Sequence, residues 1–346
     1  MGAESTGTPS VTAAKPPGMV RVGATIALYL ALNSSLNLLN RYTLGHAGFR
    51  FPVTLTCAHL CFQICSLAPL VHGRRDVNHA ETLARCWKGL VAIGSFMAIN
   101  IALNNASLLH LSLSYNQIIR ASIPVVCAVC AIFVENKIPT GTEIVGLVLV
   151  AVGVMATVVG SASNAVESRP NETVGLFFCG VATVSNALMM TFSGRIMGGE
   201  KLDALRLTFY TSPVVLAILA PVALTMEWRK MTHRLREPAP LETADGSGTF
   251  VPGTALLQLV LLGCFNAVAY NWVHNKVIAA TSATTTTVLG NVKVAMLVLF
   301  SRVLFGETRD WSWEMAGGAV VALGGFAMYS FAKLRAIRRA AAASEK

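Results

Sequence analysis

TTTTVLGNVKVAMLVLFSRVLFGE, from Thr284 to Glu307, reads as one long apolar helix with a lysine, Lys293, near its middle. An ammonium at mid-bilayer depth costs roughly 2.5–3.5 kcal/mol on insertion scales, so such a residue marks a function by default. The remainder of the chain is read as a frame that holds Lys293 towards a cavity.

Composition agrees with a membrane setting. The chain has 346 residues, 54% of them hydrophobic and only 13% charged, whereas a soluble domain carries about a quarter charged residues. The apolar residues come in blocks of about twenty, the length that crosses a bilayer core. The net charge of +10 does not point to nucleic acid, because the basic residues lie mostly in short loops and tails, where they set orientation. The eight cysteines are scattered through apolar blocks. Cys57, Cys61 and Cys65 at one-turn spacing, and the Cys127/Cys130 pair, read better as small packing residues than as a metal or redox site.

The expected fold class is all-α: a polytopic membrane protein of ten transmembrane helices arranged as two inverted five-helix repeats. The spans fall near 20–40, 52–71, 88–109, 112–134, 141–160, 173–197, 204–227, 253–274, 281–304 and 312–332. Residues 1–19 form a polar cytosolic tail, 20–333 the transporter domain with repeats at about 20–160 and 173–333, and 334–346 a basic cytosolic tail. The 228–252 stretch, charged and rich in proline, is expected to be a solvated loop. Shifting 112–156 onto 284–328 brings Glu135 onto Glu307, Gly146 onto Gly318, Val148 onto Val320 and Gly153 onto Gly325. Two homologous halves with an odd number of spans each must insert with opposite topology, a transporter architecture. Lys/Arg bias places both termini in the cytosol, with the 228–252 loop dissenting. The Asn171-Glu172-Thr173 sequon then faces away from the cytosol, too close to a span to favour glycosylation. The opening MGAEST fits a loose myristoylation pattern, of little use to a chain that already spans the membrane.

Arg120 lies mid-span in SLSYNQIIRASIP and, in the repeat, one position from the equivalent of Lys293. No Asp or Glu occupies the middle of a span, so neither cation has an evident counter-charge. Snorkelling to the headgroups is the competing explanation, and mid-span placement disfavours it. A phosphate or diphosphate suits the pair, with arginine forking onto two oxygens and lysine acting as a point charge. Amide and aromatic residues at helical spacing indicate a wet cavity. The candidate substrate-binding residues are Lys293, Arg120, Asn291, Tyr270, Asn271, Tyr210, Asn116, Gln117, Asn33, Asn37 and Asn104. Gly146, Gly153, Gly317, Gly318, Gly324 and Gly325 permit close helix approach, within the chain or, as the second reading, in a homodimer. HExxH, P-loop and GxSxG motifs are absent, as is any intramembrane carboxylate pair. No enzyme activity, cofactor or metal is expected.

SLSYNQIIRASIPV resembles the fourth span of the triose-phosphate translocator/nucleotide-sugar transporter branch of the drug/metabolite transporter superfamily. TTTTVLGNVKVAMLVLFSRVLFGE resembles its ninth span, and LNRYTLGHAGFRFPVTLTCAHL its first loop and second span. The resemblance covers about residues 22–333. It implies alternating access and exchange of an organic phosphate, with the phosphate-binding lysines of the two motifs carried over to Arg120 and Lys293. Val294 stands where triose-phosphate members place an arginine, a departure that favours the nucleotide-sugar carriers over a plastid sugar-phosphate exchanger. The expectation is a Golgi or ER carrier exchanging nucleotide sugar for nucleoside monophosphate. The alternative is a plastid-type sugar-phosphate/phosphate or phosphoenolpyruvate antiporter.

Overall fold

The computed structural model describes residues 19–73, 78–111, 113–162, 171–200, 202–236, 253–293 and 313–344. Among these residues every regular element is a helix, without strands. The elements are α1 (Met19–Arg41), followed by a π-helical turn at Tyr42–His46, then α2 (Pro52–His72), α3 (His79–His110), α4 (Leu113–Arg120), α5 (Ile123–Glu135), α6 (Gly141–Ala162), α7 (Glu172–Gly199), α8 (Ala204–Met226), α9 (Trp228–Arg236) and α10 (Gly253–Ala280). They are completed by α11, residues 283–293, and α12 (Trp313–Ser344). Nine of the described segments are long and apolar enough to cross a membrane. The remainder of the expected ninth span, 294–304, lies outside the described residues.

Large apolar side chains such as Phe133, Phe177, Leu262 and Phe265 are exposed on the outer surface, as a lipid-facing surface requires. Local chemistry sets the helix ends. Asn78 caps α3 by accepting from the Glu81 N–H at 3.3 Å, which starts the helix nine residues before the expected 88. Asp203 caps α8 through the Arg206 N–H at 2.8 Å. The first turn of α2 is capped from far along the chain: the Glu227 carboxylate accepts from the N–H groups of Val53 (3.1 Å) and Thr54 (2.7 Å) and from the Thr54 hydroxyl (2.7 Å). Free N–H groups at a helix start need such acceptors.

The main helix pairings are α6 with α12, α3 with α7, α2 with α8 and α1 with α10. The α6–α12 seam is closed by glycine. A Cβ on Gly146 would sit 2.8 Å from the Tyr329 nitrogen and 3.0 Å from the Gly325 oxygen. One on Gly318 would sit 2.5 Å from the Thr157 nitrogen and 2.7 Å from the Gly153 oxygen. Gly146 thus meets Gly325 and Gly153 meets Gly318, within one chain. Gly317 and Gly324 have open space beside them.

Three sequence expectations are corrected. The fourth span is two helices, α4 and α5, because Pro124 lacks the N–H that would continue the ladder and its ring crowds the preceding turn. The 228–252 stretch begins with a helix, α9, rather than a wholly irregular loop. The last helix continues through Ser344, beyond the expected end at 332.

Candidate functional site

A cavity of about 500 Å³ lies between α1, α2, α3, α4, α7, α8, α10 and α11. All of the candidate residues except Tyr210 line it. None of the lining residues is an Asp or Glu.

The two cations are held by neutral amides. Arg120 ends α4, and its Nη1 donates to Asn104 Oδ1 at 3.0 Å and Asn100 Oδ1 at 3.2 Å, one turn apart on α3. Asn116 Nδ2 donates to the same Asn104 oxygen at 3.2 Å and to Ser107 Oγ at 2.8 Å, so Asn116 braces the arginine's acceptor. Lys293 Nζ donates to Asn33 Oδ1 at 2.9 Å, and Asn37 Nδ2 donates to that oxygen at 3.1 Å. Each amide oxygen orients its cation without neutralising it. Among the described residues neither cation has a carboxylate partner. Two full positive charges facing one polar cavity favour an anion there.

Apolar recognition surface sits beside them. The Tyr29 and Tyr270 rings are stacked, with centroids 5.9 Å apart, and His274 lies 5.5 Å from each. Asn271 Nδ2 donates to Gln63 Oε1 at 2.7 Å, and Gln63 Nε2 donates to Ser212 Oγ at 2.5 Å. That chain crosses from α10 through α2 to α8. Gln117 lies one turn before Arg120's end of α4 and lines the cavity. Asn291 is committed elsewhere: its Nδ2 donates to the Ala121 carbonyl at 2.7 Å.

Tyr210 is outside the cavity lining. Its hydroxyl is 2.6 Å from His79 Nδ1, and His79 packs on His72, which packs on Phe209. These residues belong to the end of the bundle where α2 and α7 finish and α3 and α8 begin. A buried cluster including Leu67, Val71, Leu90, Ile196, Leu205 and Ile278 fills that end. At the other end the main cavity shares Asn100, Ile101 and Asn104 with a smaller one of about 170 Å³, lined also by Asn40, Thr56 and His59. Tyr29, Asn100, Asn186, Thr208, Thr211 and His274 line the main cavity as well. Thr208, Thr211 and Ser212 form a polar stripe one turn apart on α8, which was the signal available for them. All eight cysteines are free thiols.

An all-helical body with this many spans, packed around a cavity whose two cations have no carboxylate partner among the described residues, defines a polytopic membrane protein of the solute-carrier type. The Triose-phosphate Transporter family matches residues 20–330, and the chain belongs to that family of transporters. A probable sugar phosphate/phosphate translocator of Arabidopsis thaliana is 28% identical, covering 90% of this chain and 94% of the relative. UDP-uronic acid transporter 1 of Arabidopsis thaliana is 26% identical over 82% of this chain and 87% of its own length. Human solute carrier family 35 member E4 is 27% identical over 88% and 81%. A crystal structure at 15% identity, covering 90% of this chain and 98% of its own, superposes with a TM-score of 0.62 and speaks for the fold alone.

Proposed function

We propose that this protein is a nucleotide-sugar carrier of the Golgi membrane, exchanging cytosolic nucleotide sugar for luminal nucleoside monophosphate by alternating access. The observation that carries the proposal is the pairing of Arg120 and Lys293 on one cavity, where among the described residues their side-chain partners are amides. A substrate diphosphate supplies the missing charge. Arg120 forks onto its oxygens and Lys293 takes the remainder, while the Tyr270 ring and the Asn271, Asn116, Gln117, Asn33, Asn37 and Asn104 amides hold base and sugar. The cavity, at about 500 Å³, falls in the range of roughly 300–1,000 Å³ typical of sites for drug-sized ligands and is roomy for a three-carbon phosphate.

Alternating access here rests on ten spans in two inverted repeats, with both termini in the cytosol. Supporting this, the helix pairings keep their pattern when the halves are exchanged. The α1–α10 pair becomes α7–α3, and α2–α8 and α6–α12 map onto themselves. The same exchange turns the Gly146–Gly325 contact into Gly318–Gly153.

The second reading is a sugar-phosphate/phosphate antiporter, favoured by the names of relatives such as the one 28% identical. Val294, in place of the arginine of triose-phosphate members, counts against it. Uptake of labelled nucleotide sugars into proteoliposomes separates the two. Stimulation by preloaded nucleoside monophosphate is the expected result. Stimulation instead by inorganic phosphate or triose phosphate promotes the second reading, and equal uptake into empty and preloaded vesicles sinks exchange altogether.

A further inference from the structure

The break between α4 and α5 leaves a defined debt in the backbone. In a continuous helix the Val125 N–H would bond to the Ala121 carbonyl. Here it donates to Ser122 O at 3.0 Å, and Val126 N–H donates to the same oxygen at 3.1 Å. Pro124 has no N–H to give. The Ala121 carbonyl therefore loses its helical donor at a residue only 2% exposed, a costly condition within a membrane span. Nearby, the Ile119 carbonyl is satisfied locally, accepting from the Ser122 hydroxyl at 2.7 Å. The Ala121 carbonyl is satisfied from the far half of the chain by Asn291 Nδ2, at 2.7 Å.

The positions of the two ends matter. Ala121 directly follows Arg120, and Asn291 precedes Lys293 by two residues on α11. One hydrogen bond thus ties the helix end that carries one cation to the helix that carries the other. We propose that Asn291 is a positioning residue, not a substrate contact: it latches the broken fourth span to α11 and so fixes how Arg120 and Lys293 are spaced towards an anion. The proposal rests on the anion-binding role given to those two cations above. It accounts for an amide at 291 whose donor points at backbone, and it couples the discontinuity in one half of the chain to the cation of the other. A helix break satisfied by a side chain from a neighbouring helix is tolerated at membrane depth and can move as one unit with it.

A double-mutant cycle tests this, because Pro124→Ala relieves the proline block on a continuous helix, so that the Val125 N–H can return to the Ala121 carbonyl and the latch is no longer needed. In the wild-type background, Asn291→Ala should lower the melting temperature of the ligand-free carrier by a few degrees, as an orphaned buried carbonyl does. It should also weaken binding by about tenfold or more. In the Pro124→Ala background both losses should shrink to about twofold or less in affinity and a degree or less in melting, the non-additivity of residues that act through one another. Asn291→Ser, whose hydroxyl is too short to reach, enters the same cycle if the alanine variant does not fold. The binding probes are UDP-glucuronate and glucose 6-phosphate in parallel. Equal losses in the two backgrounds, or no loss in the first, overturn the proposal. If neither probe binds the wild type, these two compounds are not its substrates, while the melting cycle still decides whether the latch exists.

Discussion

The Lys293 ammonium donates to Asn33 Oδ1 at 2.9 Å, a contact between α11 and α1 in which a full charge meets a dipole and, among the described residues, no carboxylate. The amide orients the lysine but leaves its charge for something else.

Replacing Lys293 by methionine keeps the side chain's length and removes the charge. The ligand-free protein should melt at the same temperature or higher, because an unpaired, half-buried cation is gone. Ligand binding should weaken by about 2–5 kcal/mol, the usual loss when one partner of a desolvated charged contact is truncated. Thermal-shift titration and exchange rates read both quantities. Wild-type exchange by the methionine variant would remove Lys293 from the site.

Tyr210 and His79 join α8 to α3 across the filled end of the bundle, 2.6 Å apart. Tyr210→Phe keeps the ring and deletes the hydroxyl, which removes about 1 kcal/mol from the arrangement closed at that end. A shift of that size raises the population open there about fivefold. Cys86, only 5% exposed in the adjoining cluster, reports it. Its alkylation, followed residue by residue by mass spectrometry, should accelerate about fivefold in the variant. An unchanged rate would mean that the bond does not hold that end shut.

The α6–α12 seam separates two kinds of glycine. Gly153→Leu forces a side chain into the Ala322 backbone and should cost at least about 1–3 kcal/mol of stability, as overpacking does. Gly317→Leu points into open space and should leave the monomer's melting temperature within the small range of surface changes, about 0.5 kcal/mol. If Gly317 packs in a homodimer, the second variant falls apart to monomers by light scattering at constant melting temperature. Equal destabilisation by both would contradict the seam as described.

What could be read from the sequence was whatever depends on the local order of residues. Apolar runs of bilayer length marked the spans, since length and hydropathy need no partner to be recognised. The depth of Arg120 and Lys293 followed from their place within such runs. The break at Ala121 and Ser122 was not read, because a proline inside an apolar run is compatible with a kink, a first turn or a break, and local sequence does not choose among them. Asn291 lines the cavity as expected, but its bond to the Ala121 carbonyl could not be read for the same reason: that partner is far away in the chain. Tyr210 could have been set apart earlier. On α8 the residues Thr208, Thr211 and Ser212 share one face, and Tyr210 falls about half a turn from Thr208. The α9 helix was hidden by its charge, since a basic amphipathic segment and a solvated loop have similar composition.

That Arg120 and Lys293 have no counter-charge among the described residues also bears on electrical behaviour. Each elementary charge carried through a transmembrane potential is worth about 2.3 kcal/mol per 100 mV. Reorientation of the unloaded carrier moves two such charges relative to the field, whereas a dianion in the cavity cancels them. Swapping one dianion for another should therefore be indifferent to voltage, and return of the vacant carrier should not be. Imposing a potassium diffusion potential on proteoliposomes distinguishes the two half-cycles: exchange is expected to hold steady while net efflux changes with the sign of the potential. On this view the amides that decline to neutralise the cations make the cavity a voltage-sensitive brake on slippage.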